Sequence, residues 1–273
     1  MEIPCWVLTR GRVSSEASDS HCWLSPKSSG KKVALEILLV CYLPPGLAVT
    51  SYSSMLTRPI DYLVSKRESE SANLDILVLW DVLQTLLIPA WPKNRTTIAG
   101  TPIGDAWPLS ILQKRAGDSG PPADGIQPFH KLTQWLTYSL MVPFQRILGM
   151  QWSNADSLTA LPEYRNGGLF VDLGVLTLKK ETYDRGMKTS GEGAELPTFD
   201  AGDDAIVEWR ALTLVLIDKL YSKIQNKFGD GVQLSMAQLL EAGTWKSGRE
   251  VAAQRRPNTK SSPILIKSDG TVF

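Results

Sequence analysis

Residues 205–228 read AIVEWRALTLVLIDKLYSKIQNKF, and this stretch decides the fold class. Ile217, Leu220, Ile224 and Phe228 recur three and four residues apart, the spacing of one face of an α-helix. Gly229-Asp230-Gly231 stops the run. Glu208 and Arg210 stand in its most apolar part. Charges in such a run are rarely buried unless paired, so a structural ion pair and a ligand-facing role are both open for them.

Upstream, Leu74, Leu77, Trp80, Leu83 and Leu87 predict another helix from about Asn73, ended by Pro89 and Pro92. Residues 92–127 read as a Pro/Gly-rich connector containing Gly104-Asp105-Ala106-Trp107. Phe129–Gly149 reads as a helix kinked at Pro143. Residues 185–204, with Gly186, Gly191, Gly193, Pro197 and Gly202, read as a flexible, mostly acidic loop. Downstream, Ser235 and Gln238 have capping-box spacing and open a helix that ends near Gly243. Residues 245–255 form a short basic helix. Ile264-Leu265-Ile266 and Thr271-Val272-Phe273 flank Ser268-Asp269-Gly270 as a hairpin. The expectation is a mainly α, multi-helical single domain with a few short β-strands. No internal repeat and no strand–helix alternation is visible.

Residues 1–48 differ from the rest. They hold all three cysteines (Cys5, Cys22, Cys41) and a serine-rich patch, with no sustained period. A poorly ordered extension and a faulty gene model are the two alternatives for them; residues 49–273 are read as the domain.

Several function classes are excluded. With 29 basic and 28 acidic residues, net charge +1, nothing points to nucleic acid or an anionic membrane as partner. The longest apolar run, Val33–Leu43, is interrupted by Glu36 and is shorter than the roughly 20 residues a bilayer requires. No secretory signal is evident, and the cysteine usage fits a reduced compartment, so a cytoplasmic protein is expected. There is no Gly-x-Gly-x-x-Gly, P-loop or Gly-x-Ser-x-Gly motif. Only His21 and His130 exist, which excludes a His-rich metal site. No metal and no cofactor is expected, the partner is a small molecule, and the oligomeric state is open.

The remaining chemistry is carboxylates, arginines, one histidine and aromatics. Residues 161–176 read LPEYRNGGLFVDLGVL. Glu163, Arg165, Asn166 and Asp172 gather around glycines, and the alternation after Gly168 reads as a turn leading into a strand with Asp172 opposite the Leu/Val set. His130, Gln134 and Tyr138 recur at four-residue spacing on one helix face. Glu241, Thr244 and Arg249 lie among small residues at a helix–Gly–helix junction, where backbone amides can meet an anion. Nine tryptophans are a high count; most fit a core, and Trp135 or Trp209 would suit stacking on a planar ligand.

Taken in order, Gly104–Trp107, Pro128–Leu140, Leu161–Val175, Val207–Thr213, Leu240–Glu250 and Ser268–Phe273 resemble the C-terminal portion of the uracil catabolism protein 4 family, catalogued as a domain of unknown function in fungi and bacteria. The likeness covers roughly Tyr52 to Phe273; family members are longer, with an N-terminal helical half. Ala160 and Ala242 stand where the family usually has glycine, and Arg256–Ser261 replaces a Gly-rich stretch. The resemblance implies a role in pyrimidine degradation; the polar clusters, without a metal or nucleotide signature, make hydrolysis of the C–N glycosidic bond of a uracil-derived nucleoside or ureido-ribose the leading expectation within it. That reaction needs a carboxylate near the anomeric carbon and a proton donor for the leaving nitrogen. Asp172 is the first candidate carboxylate, Glu208 and Glu163 are its alternatives, and His130 or Tyr138 supplies the proton. Tyr164, Arg165, Asn166, Gln134, Trp135, Trp209, Arg210, Glu241, Thr244 and Arg249 complete a substrate-binding set. Ureido cleavage with the Gly167-Gly168 amides stabilising an oxyanion is one rival, and a ligand-binding or regulatory subunit is the other.

Overall fold

In the computed structural model, the described residues are 5–8, 59–66, 72–92, 94–117, 120–229 and 231–267. The elements, in chain order, are β1 (Trp6–Leu8), α1 (Pro59–Ser65), β2 (Asn73–Asp75), α2 (Ile76–Leu87), β3 (Thr97–Ile98), β4 (Thr101–Pro102), β5 (Ala106–Pro108), α3 (Ser110–Ala116), β6 (Ile126–Pro128) and α4 (Lys131–Leu148). They continue with β7 (Gln151–Ser153), α5 (Tyr164–Asp172), β8 (Leu176–Leu178), α6 (Lys180–Ser190), β9 (Thr198–Asp200), α7 (Asp204–Phe228), α8 (Met236–Gln238), a π-helical segment over Leu239–Trp245, α9 (Lys246–Arg255) and β10 (Leu265–Lys267). The fold is mainly α with minor β, as the sequence leads one to expect. The strands form two-stranded pairs.

The contacts divide the chain into two units. The larger holds residues 1–10, 87–136 and 158–273, and α7 is its axis. The N-terminal half of α7 is buried on nearly every side through Ala205, Ile206, Val207, Trp209, Arg210 and Thr213. Asp203 caps it, accepting from Ala205 N at 2.9 Å. Val207 joins Leu109 and Phe129 in an apolar cluster flanked by Trp107, Ile111 and Leu214. In the smaller unit, residues 11–86 and 137–157, β2 lies parallel to β7, pairing Leu74 with Trp152. Trp152 meets Phe144 edge-on, with centroids 5.4 Å apart.

The stretch at 161–176 is the main correction. It is helical from Tyr164 to Asp172, and only Leu176–Leu178 is a strand, antiparallel to Trp6–Leu8. Two causes decide this. The Glu163 carboxylate caps the helix, accepting from Asn166 N at 2.6 Å. And Gly167 is there for close approach, not for a turn. A β-carbon on Gly167 would lie 2.7 Å from Thr213 Oγ1 and 2.8 Å from Trp209 Nε1; one on Gly248 of α9 would lie 2.2 Å from the Arg165 carbonyl. A glycine within a helix costs about 1 kcal/mol against alanine; here it lets α5 pack directly on α7 and α9.

The same misreading affects 185–204. Lys180–Ser190 is a helix, and a β-carbon on Gly186 would meet Phe199 Cζ at 2.5 Å and Pro197 Cβ at 2.7 Å, so that glycine too marks packing. Arg185 forks onto the carboxylate of Asp203. The helix expected to end near Gly243 instead widens into the π segment and runs on into α9. The Ser235–Gln238 capping box is present, and α4 runs through Pro143. Leu265–Lys267 pairs in parallel with Thr198–Asp200, not with a following strand; residues 271–273, the expected second arm, lie outside the described residues, as do Ser268-Asp269-Gly270. No helix among the described residues is long and apolar enough to cross a membrane.

Candidate functional site

Asp105 is the hub of the larger unit. Its backbone carbonyl accepts from Phe129 N and His130 N, and its carboxylate from Lys131 N at 3.0 Å, so it caps α4 from a distant part of the chain. The same carboxylate accepts from Trp107 Nε1 at 2.7 Å and is gripped by both terminal nitrogens of Arg210, each at 2.7 Å. Both side chains of this ion pair are fully buried, at 0% exposure. Burial alone would lift the Asp105 carboxyl, but the Arg210 guanidinium and the two other hydrogen bonds, from Trp107 and the Lys131 amide, hold it below the usual carboxylate range. Arg210 also donates from Nε to the Pro162 carbonyl at 3.2 Å and stacks over Phe129, 4.0 Å from its centroid. The pair therefore fastens three segments together: 105–107, 129–131 and 162–163.

Three ionisable groups surround it. Glu163 is buried, and burial pushes its carboxyl above the usual range against the pull of the Arg165 and Asn166 amides and of Lys131. Lys131, the first residue of α4, has its ammonium lowered by burial and by Arg210, with Glu163 and Asp105 acting the other way. His130 is held in the left-handed region, at φ 46°, a conformation that costs a histidine energy. Burial, aided by Arg210, keeps its imidazole below the ordinary histidine value. A carboxyl pushed up and an imidazole pushed down, each tied to the residues around one buried ion pair, are the shifts expected of an acid and a base.

The sequence-selected residues fall into groups. Glu163, Asn166 and Thr244 come together: Thr244 Oγ1 donates to Asn166 Oδ1 at 2.9 Å, and Asn166 Nδ2 donates to the Leu161 carbonyl at 3.0 Å. Trp209 packs beneath Gly167, and Arg210 and His130 belong to the Asp105 hub. Gln134 is buried one turn into α4, accepting from Thr159 N at 3.2 Å; Trp135 and Tyr138 are half-buried on the same helix. Arg165 stacks on Tyr164 and Arg249 on Trp245, at 4.7 and 4.8 Å, and Glu241 is exposed.

Asp172 and Glu208 have other partners. Asp172 closes α5, with both carboxylate oxygens taken by Arg256, at 2.7 and 2.5 Å. Glu208 accepts from Cys5 N at 3.0 Å; burial raises its carboxyl, and the same burial, with Glu208 beside it, pushes the Cys5 thiol up to about 12. The Gly167 amide donates to the Glu163 carbonyl inside the helix, so it is not free to meet an oxyanion. No group of residues that could hold a metal ion occurs among the described residues.

Asp105 and Lys131 are missing from the sequence-derived set, though both lie in quoted motifs. Lys131 carries a signal in hindsight, since a cation at a helix N-terminus opposes the helix dipole and calls for a reason. Asp105 has none, because apart from Trp107 its partners are 24 to 105 residues away.

The model of the family described as "Protein of unknown function (DUF1688)" matches residues 48–273. The chain belongs to this family. Among curated DUF1688 relatives, it is 49% identical over 220 residues to "Protein urg3" of Schizosaccharomyces pombe, covering 79% of this chain and 49% of that protein. It is 47% identical over 222 residues to "Uracil catabolism protein 4" of Lachancea kluyveri, covering 78% of this chain and 50% of that protein. The chain thus spans about half the length of the curated relatives it matches. Asp105, Lys131, Glu163 and Arg210 all lie within the family match.

Proposed function

We propose that this chain acts in uracil catabolism, hydrolysing the C–N glycosidic bond of a uracil-derived nucleoside or ureido-ribose. The pathway rests on a relative named for uracil catabolism. The reaction rests on one observation: the buried Asp105–Arg210 pair holds the His130 amide and the Pro162 carbonyl beside Glu163, and of these two residues the Glu163 carboxyl is raised and the His130 imidazole lowered.

The two groups have complementary tasks. Water attacks the anomeric carbon and gives its proton to His130, which is neutral and able to accept it. The C–N bond breaks, its electron pair goes to the leaving nitrogen, and Glu163 donates the proton that neutralises it. Solvent returns the proton from His130 to Glu163. Asp172 and Glu208, each engaged by a structural partner, fasten the framework. A ureido-cleaving reaction has weaker support, because the Gly167 amide is spent within α5.

Incubating the 273-residue protein with ribosylurea, uridine and UMP and following products by mass spectrometry tests this reading. Free ribose is expected from at least one substrate. Glu163→Gln lowers its rate by about two to four orders of magnitude, the usual worth of general acid catalysis. Carbon dioxide and ammonia in place of ribose, or binding without turnover, would overturn it.

A further inference from the structure

Lys131 has no role in the fold that requires a charge. Its backbone amide does the structural work, capped by Asp105. Its ammonium sits at the positive end of the α4 dipole, which disfavours a cation. Among the described residues its side chain makes no hydrogen bond and no ion pair within 4.0 Å. The charged groups that act on it are Glu163 from the cap of α5, Arg210 from α7 and Asp105 from the turn before β5; His130 precedes it in the chain. Of the two carboxylates, Asp105 is already saturated by Arg210. Glu163 is left, close enough to be felt and too far to be touched.

This spacing is imposed. Arg210 holds the Pro162 carbonyl, one residue before Glu163, while the carboxylate it grips holds the Lys131 amide. One buried ion pair thus holds the Lys131 amide and the carbonyl next to Glu163, and the two side chains feel each other without forming an ion pair. A cationic donor on one side and a carboxyl on the other match a small planar group that offers a carbonyl oxygen and an adjacent nitrogen.

We propose that Lys131 binds the ureido carbonyl of the substrate, positioned opposite Glu163 by the Asp105–Arg210 pair. This rests on the hydrolytic reading above and names its substrate class: a sugar bearing a ureido group. The ammonium donates to the carbonyl oxygen and draws charge from the leaving nitrogen as the C–N bond breaks; Glu163 delivers the proton to that nitrogen. Asp105 and Arg210 are positioning residues and touch no substrate.

Calorimetric binding of ribosylurea and of ribose, measured in the Glu163→Gln background to stop turnover, tests the proposal. Lys131→Met weakens ribosylurea by about 10- to 100-fold, the value of a hydrogen bond from a charged donor, and leaves ribose within threefold. Ribosylurea affinity of the protein with Lys131 falls as pH rises and the ammonium loses its proton; with Lys131→Arg it stays flat. Unchanged ribosylurea affinity in a folded Lys131→Met protein overturns the proposal, as does an equal loss for ribose. If Lys131→Met fails to fold, the contrast between the lysine and arginine pH profiles decides. In the Glu163-containing protein, ribose release unaffected by Lys131→Met would sink this inference and leave hydrolysis standing. Lys131-dependent binding with no ribose from any variant would do the reverse.

Discussion

Two aspartate–arginine forks of the same chemistry serve different regions of the larger unit. Asp105–Arg210 has no exposure and lies among other ionisable groups. Asp172–Arg256 retains 6% and 15% exposure and ties the end of α5 to the 256–261 turn, where Arg256 Nε also donates to the Ser261 carbonyl at 2.8 Å. The second is a fastener. The first is a fastener that also perturbs its neighbours, because in a dry environment its field reaches Lys131 and His130 with little screening. Burial, not pairing chemistry, separates a structural ion pair from one that prepares a site.

The largest test of that contrast is to break each fork. Asp105→Ala leaves Arg210 buried without its counter-charge and is expected to cost about 3–5 kcal/mol in urea unfolding. Arg256→Ala, with solvent at hand, should cost about 1 kcal/mol. Equal losses would erase the distinction. A sharper version replaces the inner fork altogether. Asp105→Leu with Arg210→Met should stay within about 2 kcal/mol of the original stability, since apolar pairs often substitute for buried ion pairs, yet lose ribose release because Lys131 and Glu163 are no longer held.

The smallest effect concerns Lys131 alone. Its folded-state pKa lies below the ordinary lysine value of 10.5, because burial makes the ammonium harder to hold in the folded chain than in the unfolded one. Its contribution is favourable above that value and is lost as pH falls through the folded pKa, where the unfolded chain binds the proton more readily. Lys131→Met should therefore raise stability at pH 7 by about 1 kcal/mol and lose that advantage above roughly pH 10.5. A thermal-melting series across pH measures it, and a destabilised Lys131→Met at pH 7 would show that the lysine supports the fold instead.

How far the sequence discloses this arrangement depends on the range of the contacts. Helix α7, its Gly229 stop and the Ser235 cap are local and are legible from spacing alone. Residues 161–176 are not, because their helical state depends on Gly167 meeting Trp209 and Thr213 and on Gly248 meeting Arg165, contacts across dozens of residues. Glycine carries two opposite meanings, freedom and tightness, and the local pattern does not say which applies. Glu163, Asn166, Arg210 and Thr244 stand out as polar groups in otherwise apolar or small-residue motifs. Lys131 and Asp105 do not stand out in the same way, since what distinguishes them is their surroundings.

The strand Trp6–Leu8 has a consequence for the order of assembly. It pairs with Leu176–Leu178, and the amide of Cys5 is received by Glu208, 203 residues further along. Segments this far apart in sequence close slowly, and neither partner exists until the intervening residues have been made. Strand β1 therefore waits for β8 and α7 before it can be set in place. Its docking reports that both partners are formed.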